Sequence, residues 1–213
     1  ASNVLDFSDL LWTDFPNAQL PMQDDKLFPS PEALAVQCLS TTGHWVVPIS
    51  LSPTMTFNAL MFHATPPVFD GPEDRNGWRN HDETAFWTQF LDTNAITPFA
   101  IMGTSNLDPI DGEGRHMAMK SRLTHPKLQD PEPASKGGIS QADPDHSGPA
   151  NLDTVDYDGP GNLRVDYVLP SADLNVAGAG VFWPAPSDTL FLGTDGLAAG
   201  RHRLVWVDVI VNR

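Results

Sequence analysis

The sequence has little of what several classes of protein depend on. It contains one cysteine, Cys38, in 213 residues, so no disulfide can form within the chain. No apolar run approaches the length of a membrane-spanning helix. A serine nucleophile elbow, a phosphate-cradling glycine loop and the Cys/His spacing of a zinc site are also missing. These absences exclude a disulfide-stapled scaffold and disfavour a membrane span and several hydrolase and nucleotide-binding classes.

Positive charge is scarce as well. The chain has four lysines and a net charge of −15, from 27 acidic and 12 basic residues. The electrostatic field of this negative net charge repels nucleic acid unless a local basic patch or bound cations reverse it. Nucleic acid is therefore a disfavoured partner. The chain is nevertheless 40% hydrophobic, with six Trp and eleven Phe, and this composition predicts a folded domain.

Apolar periodicity predicts a mixture of strands and helices. Period-two alternation over residues 44–63 indicates an antiparallel hairpin with a turn at Ser52-Pro53-Thr54. Further strands are predicted at 98–103, 165–169, 174–183 and 204–211, the last as a central strand, and helices at 31–39, 82–91 and 114–123. This order favours an α+β layered sandwich.

Polar stretches separate these elements. Residues 64–80 are predicted to form a long loop, in which Arg75 and Arg79 are candidate substrate contacts, although pairing with neighbouring acids would explain them equally. Residues 124–162 are poor in large apolar groups and are predicted to be surface loop, partly mobile. A Gly/Ala/Pro-rich linker precedes the last strand.

One carboxylate interrupts an apolar strand. Asp166 lies between Val165 and Tyr167, and an ionised group buried there is costly unless it has a partner. We expect that partner to be His202, at the head of the last strand, because an aspartate commonly holds an imidazole in one tautomer. A single histidine at a strand end is more often structural. The hypothesis of a functional site therefore depends on the pairing of Asp166 with His202.

Other strand ends carry donors suited to phosphate. His63 ends one predicted strand, and Asn106 follows another. Arg164, Arg201 and Arg203 could make bidentate phosphate contacts. Residues at strand ends on one rim of a sheet can converge, so the sequence predicts a single pocket.

Four of these segments resemble a known family. The runs 99–109, 164–171 and 201–208, together with the strand that ends in Phe62-His63, resemble the strand-end signatures of the endonuclease/exonuclease/phosphatase family. The stretch 64–83 resembles the version found in a bacterial, exported branch. That likeness implies an extracellular or periplasmic location.

The resemblance implies a four-layered αββα sandwich and metal-dependent cleavage of a phosphate ester. The metal would be Mg²⁺ or Mn²⁺, with Ca²⁺ as a third candidate, and its ligands are left unassigned. By position, His202 would contact the scissile phosphate and Asp166 would hold it. Asn106 would bind phosphate or orient the nucleophile, and His63 would assist at the phosphate or the leaving group.

The sequence also departs from the family pattern. Thr104 stands where the family has an aspartate, and Arg201 replaces an aspartate that helps to hold the metal. No strand pair with the family's Asn and Glu precedes His44. We therefore expect residues 1–213 to form the later part of one domain, without its first strands. Such a chain would need a complementing N-terminal polypeptide or an oligomer. The alternative is a catalytically inactive relative that serves as a binding or structural module.

Overall fold

The computed structural model describes residues 3–191 and 200–211. Its helices are α1 Pro31–Leu34, α2 Arg75–Thr93, α3 Met117–Leu123 and α4 Lys136–Ser140. Its strands are β1 Leu5–Asp6, β2 Met22–Gln23, β3 Lys26–Leu27, β4 His44–Ser52, β5 Met55–His63, β6 Phe99–Thr104, β7 Val155–Tyr157, β8 Gly161–Leu163, β9 Asp166–Pro170, β10 Asn175–Phe182 and β11 Leu204–Ile210.

A five-stranded sheet in the order β1-β4-β5-β6-β9 positions the rest of the described chain. β4 and β5 pair antiparallel, so the hairpin predicted over 44–63 is confirmed. β5 and β6 pair parallel, which requires a crossover, and α2 lies within that connection. β9 then pairs antiparallel with β6, so the start of β9 lies beside the end of β6.

One face of this sheet forms the main core. Leu60, Phe62, Ile101 and Tyr167 alternate along three neighbouring strands and are almost completely buried. Apolar side chains of the helices, including Trp87, pack in the same cluster. Burial of these large side chains is the main stabilising contribution to the fold.

Helix α2 is longer than the sequence predicted. It begins at Arg75, whereas apolar spacing indicated a start at Asp82. The first two turns lack an apolar face but make hydrogen bonds to other segments. The Arg79 guanidinium donates to the carbonyl oxygens of Leu39 and Cys38 at 2.8 and 2.7 Å. Contacts between distant segments therefore stabilise a polar stretch as helix. The prediction of a loop over 64–80 was wrong for residues 75–80.

Residues 124–162 contain regular elements. Helix α4 lies there, and β7 and β8 pair as an antiparallel hairpin. Val155 and Leu163 of this hairpin form a small second core with Val165. The elements are only three to five residues long, so no periodicity could reveal them.

The last strand occupies a different place from the one predicted. Within residues 3–191 and 200–211, β11 pairs with β10 alone and lies outside the five-stranded sheet. Its side chains Leu204, Trp206 and Ile210 are 67%, 41% and 51% exposed. The prediction of a central strand was therefore wrong for the described part of the chain. Residues 192–199 of the predicted linker lie outside the described residues.

The α+β class is confirmed. Helices cover one face of the five-stranded sheet, and β11 contacts β9. None of the helices in the described ranges is both long and apolar enough to cross a membrane.

Candidate functional site

Three strand ends form a row of polar residues. His63 ends β5, Thr104 ends β6 and Asp166 begins β9. The register pairs His63 with Thr104 and Thr104 with Asp166. Paired residues point to the same face, so the row extends over about 10 Å on the face opposite the main core. The strand ends therefore lie side by side, while a single pocket that they share stays a prediction.

Asp166 connects two side chains of this region. Its Oδ2 lies 2.9 Å from Nδ1 of His202, and its Oδ1 accepts a hydrogen bond of 2.5 Å from Oγ1 of Thr104. Asp166 and His202 are therefore partners, as predicted. The backbone N–H of Asp166 also donates to Oγ1 of Thr154 at 3.0 Å, which fixes the start of β9.

Strand β7 places His202 beside Asp166. Val155 and His202 form an isolated antiparallel bridge. On either side of it, the N–H of Asp156 donates to the oxygen of Arg201 at 3.3 Å, and the N–H of Arg203 donates to the oxygen of Thr154 at 2.8 Å. The segment before β11 is thus held by a hairpin that the sequence did not reveal.

His202 keeps access to solvent. Its side chain is 42% exposed, while that of Asp166 is 14% exposed. The hydrogen bond to Asp166 raises the pKa of His202 above its usual value, and partial burial opposes this rise. Since Nδ1 faces Asp166, the protonated imidazole can present Nε2–H to a negatively charged oxygen.

Tyr157, at the end of β7, is a site residue that sequence reasoning missed. Its hydroxyl lies 3.2 Å from Nε2 of His202. The two rings meet edge-on, with centroids 5.8 Å apart and an interplanar angle of 84°. Burial and the nearby charge of Asp166 raise the pKa of Tyr157, so its hydroxyl stays protonated. Tyr157 lies among turn residues, and only the hairpin brings it to His202.

His63 and Asn106 form a second contact in the region. Nδ2 of Asn106 lies 3.3 Å from Nε2 of His63 and donates to the oxygen of Ala64 at 2.8 Å. Asn106 has φ of +48°, a conformation that Asn tolerates better than most residues. The structure therefore brings both residues to the end of the row at β5 and β6.

A glycine allows the close approach of β5 and β6 just before this row. Gly103 has φ of +147°, and an added Cβ would lie 1.9 Å from the carbonyl oxygen of Phe62. Any side chain here would strain the backbone and separate the two strands. The loop that follows is anchored by Asn80, whose Nδ2 donates to the oxygen of Ser105 at 2.7 Å.

Two arginines predicted as substrate contacts are occupied elsewhere. Arg164 is 6% exposed and makes a bidentate ion pair with Asp130, at 2.8 and 2.6 Å. Its guanidinium also lies over the ring of Tyr167, on the core side of the sheet. Arg79 donates to backbone oxygens, as described above. Both stabilise packing, so the prediction of substrate contact was wrong for them.

The other two arginines differ from each other. Arg75 lies in the first turn of α2, is half-buried and donates to Oε1 of Gln37 at 3.0 Å. Its contact with a substrate stays a prediction. Arg201 pairs with the carboxylate of Asp158 and donates to the oxygen of Asp156 at 3.0 Å. Its side chain is 40% exposed and adjoins His202, so its role in substrate binding stays a prediction.

The family resemblance implies a divalent metal, which needs several oxygen or nitrogen ligands close together. Across residues 3–191 and 200–211, no group of three or more His, Cys, Asp or Glu side chains is placed to hold a metal ion. Asp166 is the carboxylate of the row, and both its oxygens already face Thr104 and His202. Among the described residues, this donor set therefore does not fit a metal, and no catalytic step is assigned to one.

No family model matches the sequence, and a search of curated proteins found no match. Among solved structures, the chain is similar to an endonuclease/exonuclease/phosphatase from Beutenbergia cavernae, with 15% identity, coverage of 78% of this chain and 39% of that one, and a TM-score of 0.49. A protein of the same family from Leptotrichia buccalis has 18% identity, coverage of 83% and 56%, and a TM-score of 0.46. A mannosyl-6-phosphatase from Bacteroides thetaiotaomicron has 16% identity, coverage of 79% and 55%, and a TM-score of 0.44. The chain spans less than two thirds of the length of each.

Proposed function

We propose that this chain carries the phosphate-binding part of a phosphoester hydrolase. The observation that supports this most is the contact between Asp166 and His202, at 2.9 Å, on an accessible edge of the sheet. An exposed imidazole with a raised pKa and a fixed orientation is suited to binding a phosphoryl oxygen. The proposal covers phosphodiesters and phosphomonoesters.

The row supplies positive charge and hydrogen-bond donors where a phosphoryl group needs them. Protonated His202 donates from Nε2, while Asp166 keeps the imidazole oriented. Charge that develops on the phosphoryl oxygens during attack by water is thereby stabilised. Asn106 and His63 contact each other at 3.3 Å. They supply further polar groups at the other end of the row, about 10 Å from Asp166. We assign them to the phosphate or to the leaving group.

Metal dependence is a separate part of the proposal. Because the described residues do not fit a metal, we propose that a complementing polypeptide supplies the ligands for Mg²⁺, Mn²⁺ or Ca²⁺. The surface of the chain supports such a partner. On the face that carries the row, the cross-strand pairs Trp45–Met61 and Ile49–Phe57 are apolar, and Met61 and Ile49 are exposed. An extended apolar sheet face of this kind usually has a covering layer.

A second candidate function is that of an inactive relative serving as a binding or structural module. It is favoured by Thr104, whose hydroxyl cannot replace the carboxylate base of the family pattern. The two candidates make opposite predictions about turnover. An extracellular or periplasmic location is retained as a prediction for both.

Turnover of chromogenic phosphate esters separates these candidates. The purified chain is assayed with bis(p-nitrophenyl) phosphate and p-nitrophenyl phosphate, with each of the three metals and with chelator. Because the metal ligands are proposed to lie on the complementing polypeptide, we expect activity with a metal only after that polypeptide is added, and its loss in His202→Ala. Asp166→Asn is assayed in the same way. Its control is Asp145→Asn, because Asp145 is an exposed aspartate that is remote from the row in sequence. Absence of turnover under every condition, also after addition of the complementing polypeptide, would remove the enzyme proposal.

The partner proposal is tested on the chain by itself. We expect size-exclusion chromatography with light scattering to show self-association through the apolar faces. Ile49→Lys, on the exposed apolar face of β4 and β5, should reduce it. A compact, monodisperse monomer of the wild-type chain contradicts the proposal.

A further inference from the structure

We propose that the hydroxyl of Tyr157 and Nε2 of His202 together bind one oxygen of the phosphate, so that Tyr157 is a substrate-binding residue of the site. This inference rests on the proposed phosphoester chemistry. It identifies the group that completes the donor set on the side of His202 away from Asp166.

The orientation of His202 leaves one ring nitrogen for a ligand. Nδ1 lies 2.9 Å from Oδ2 of Asp166, so Nε2 faces away from the carboxylate. At that nitrogen the structure places the Tyr157 hydroxyl, at 3.2 Å. An anion that reaches Nε2 therefore also comes within reach of the tyrosine hydroxyl.

The backbone around Tyr157 holds this hydroxyl in place. Tyr157 pairs with Gly161 across the β7–β8 hairpin. Its ring packs against the small core of Val155, Leu163 and Val165. The bridge between Val155 and His202 ties the same strand to the imidazole. A donor pair held by one hairpin needs little rearrangement when a ligand binds.

The two groups have compatible donor and acceptor roles. With His202 protonated, Nε2–H can donate to the tyrosine oxygen, and the tyrosine O–H then points outward as a donor. The raised pKa of Tyr157 keeps that proton in place at neutral pH. When phosphate binds, Nε2–H turns from the tyrosine oxygen to the phosphoryl oxygen, which then accepts from Nε2–H and from the tyrosine O–H. Charge-assisted hydrogen bonds of this kind are the stronger class.

A competing interpretation is that Tyr157 covers Nε2 and obstructs the ligand. The two interpretations differ in the sign of one measurement. If Tyr157 binds the anion, Tyr157→Phe weakens phosphate binding. If Tyr157 obstructs it, the same substitution strengthens binding.

The test titrates the full chain with inorganic phosphate and follows the Hε1 resonance of His202 by NMR, with calorimetry as a second readout. We expect Tyr157→Phe to weaken phosphate binding at least about tenfold, as for loss of one hydrogen bond to a charged group. Tyr167→Phe is the matched control. Its hydroxyl donates to backbone oxygens of Arg164 and Leu107 in the core, at 2.6 and 3.2 Å. This control should lower stability and leave the phosphate affinity unchanged.

Unchanged or tighter phosphate binding in Tyr157→Phe overturns the inference, as does a wild-type chain that does not bind phosphate. Turnover separates this result from the broader proposal. Weaker phosphate binding in the variant, with no ester hydrolysis by the wild type, supports the tyrosine site and removes the enzyme proposal. Hydrolysis by the wild type, with equal kcat, KM and phosphate affinity in the variant, supports the enzyme proposal and removes the tyrosine site.

Discussion

Thr104 donates a hydrogen bond of 2.5 Å to Oδ1 of Asp166, the carboxylate whose other oxygen faces His202. In the sequence, this threonine is a departure from the family pattern, because it replaces a carboxylate. In the structure it orients the carboxylate next to it. Thr104 is therefore a positioning residue that acts on His202 through Asp166.

Thr104→Val should lower kcat for ester hydrolysis about tenfold, because a hydrogen bond to a charged group is lost without much change in shape. KM should change less. Thr104→Ser keeps the hydroxyl and should retain most of the activity. Steady-state kinetics measure both variants. Equal kcat for Thr104→Val and the wild type would show that the hydrogen bond has no functional role.

Asp166→Asn should lower the pKa of His202, because the hydrogen bond to Asp166 is the main cause of its rise. The raised pKa also makes His202 stabilise the fold below its unfolded pKa, and this contribution is lost as the pH rises through the folded pKa. An NMR titration of Hε1 measures the pKa directly. Asp145→Asn is the control and should leave the pKa of His202 unchanged. A His202 pKa that does not move in Asp166→Asn contradicts the assignment.

Asp153 should make stability depend on pH. It is 8% exposed, and burial, then the charge of Asp108, raise its pKa from 3.8 to about 7, against a lowering effect of His146. The unfolded chain ionises this group near its ordinary pKa. The free energy of unfolding should therefore fall as pH rises from about 4 to 7, by about 4 kcal/mol, and then level off.

Asp153→Asn should remove the part of the decrease that Asp153 contributes, and the curve should become shallower. The measurement is denaturant unfolding at intervals between pH 4 and 8, with Asp145→Asn as an exposed control. Glu83, whose pKa burial raises to about 7, acts in the same range, so some dependence should persist. Parallel curves for Asp153→Asn and the wild type would contradict the prediction.

The buried pair of Arg164 and Asp130 should matter for stability and little for substrate binding. Asp130→Ala leaves a nearly buried guanidinium without its bidentate partner, so the free energy of unfolding should fall by about 3–5 kcal/mol. Chemical denaturation measures the loss. Phosphate affinity of the folded fraction should stay near that of the wild type. A large loss of phosphate affinity with little loss of stability would return Arg164 to the substrate site.

Strong local patterns explain why part of this fold was predictable. Alternating apolar residues gave β4 and β5 almost to the residue, because each has one face in the main core. The first turns of α2 have no such pattern. They are stabilised by hydrogen bonds such as those of Arg79, whose acceptors lie about 40 positions away in sequence. Local sequence cannot encode which distant carbonyl an arginine will reach.

The candidate site also has features that the sequence could predict and features that it could not. The sequence by itself determined that Asp166 needed a partner, because a carboxylate within an apolar strand is costly without one. It also indicated that His202, His63 and Asn106 stand at strand ends. Only the tertiary structure decided that Thr104 holds Asp166, that Tyr157 reaches His202, and that Arg164 belongs to a buried ion pair. These outcomes depend on strand register and on a short hairpin, and both arise when distant segments pack.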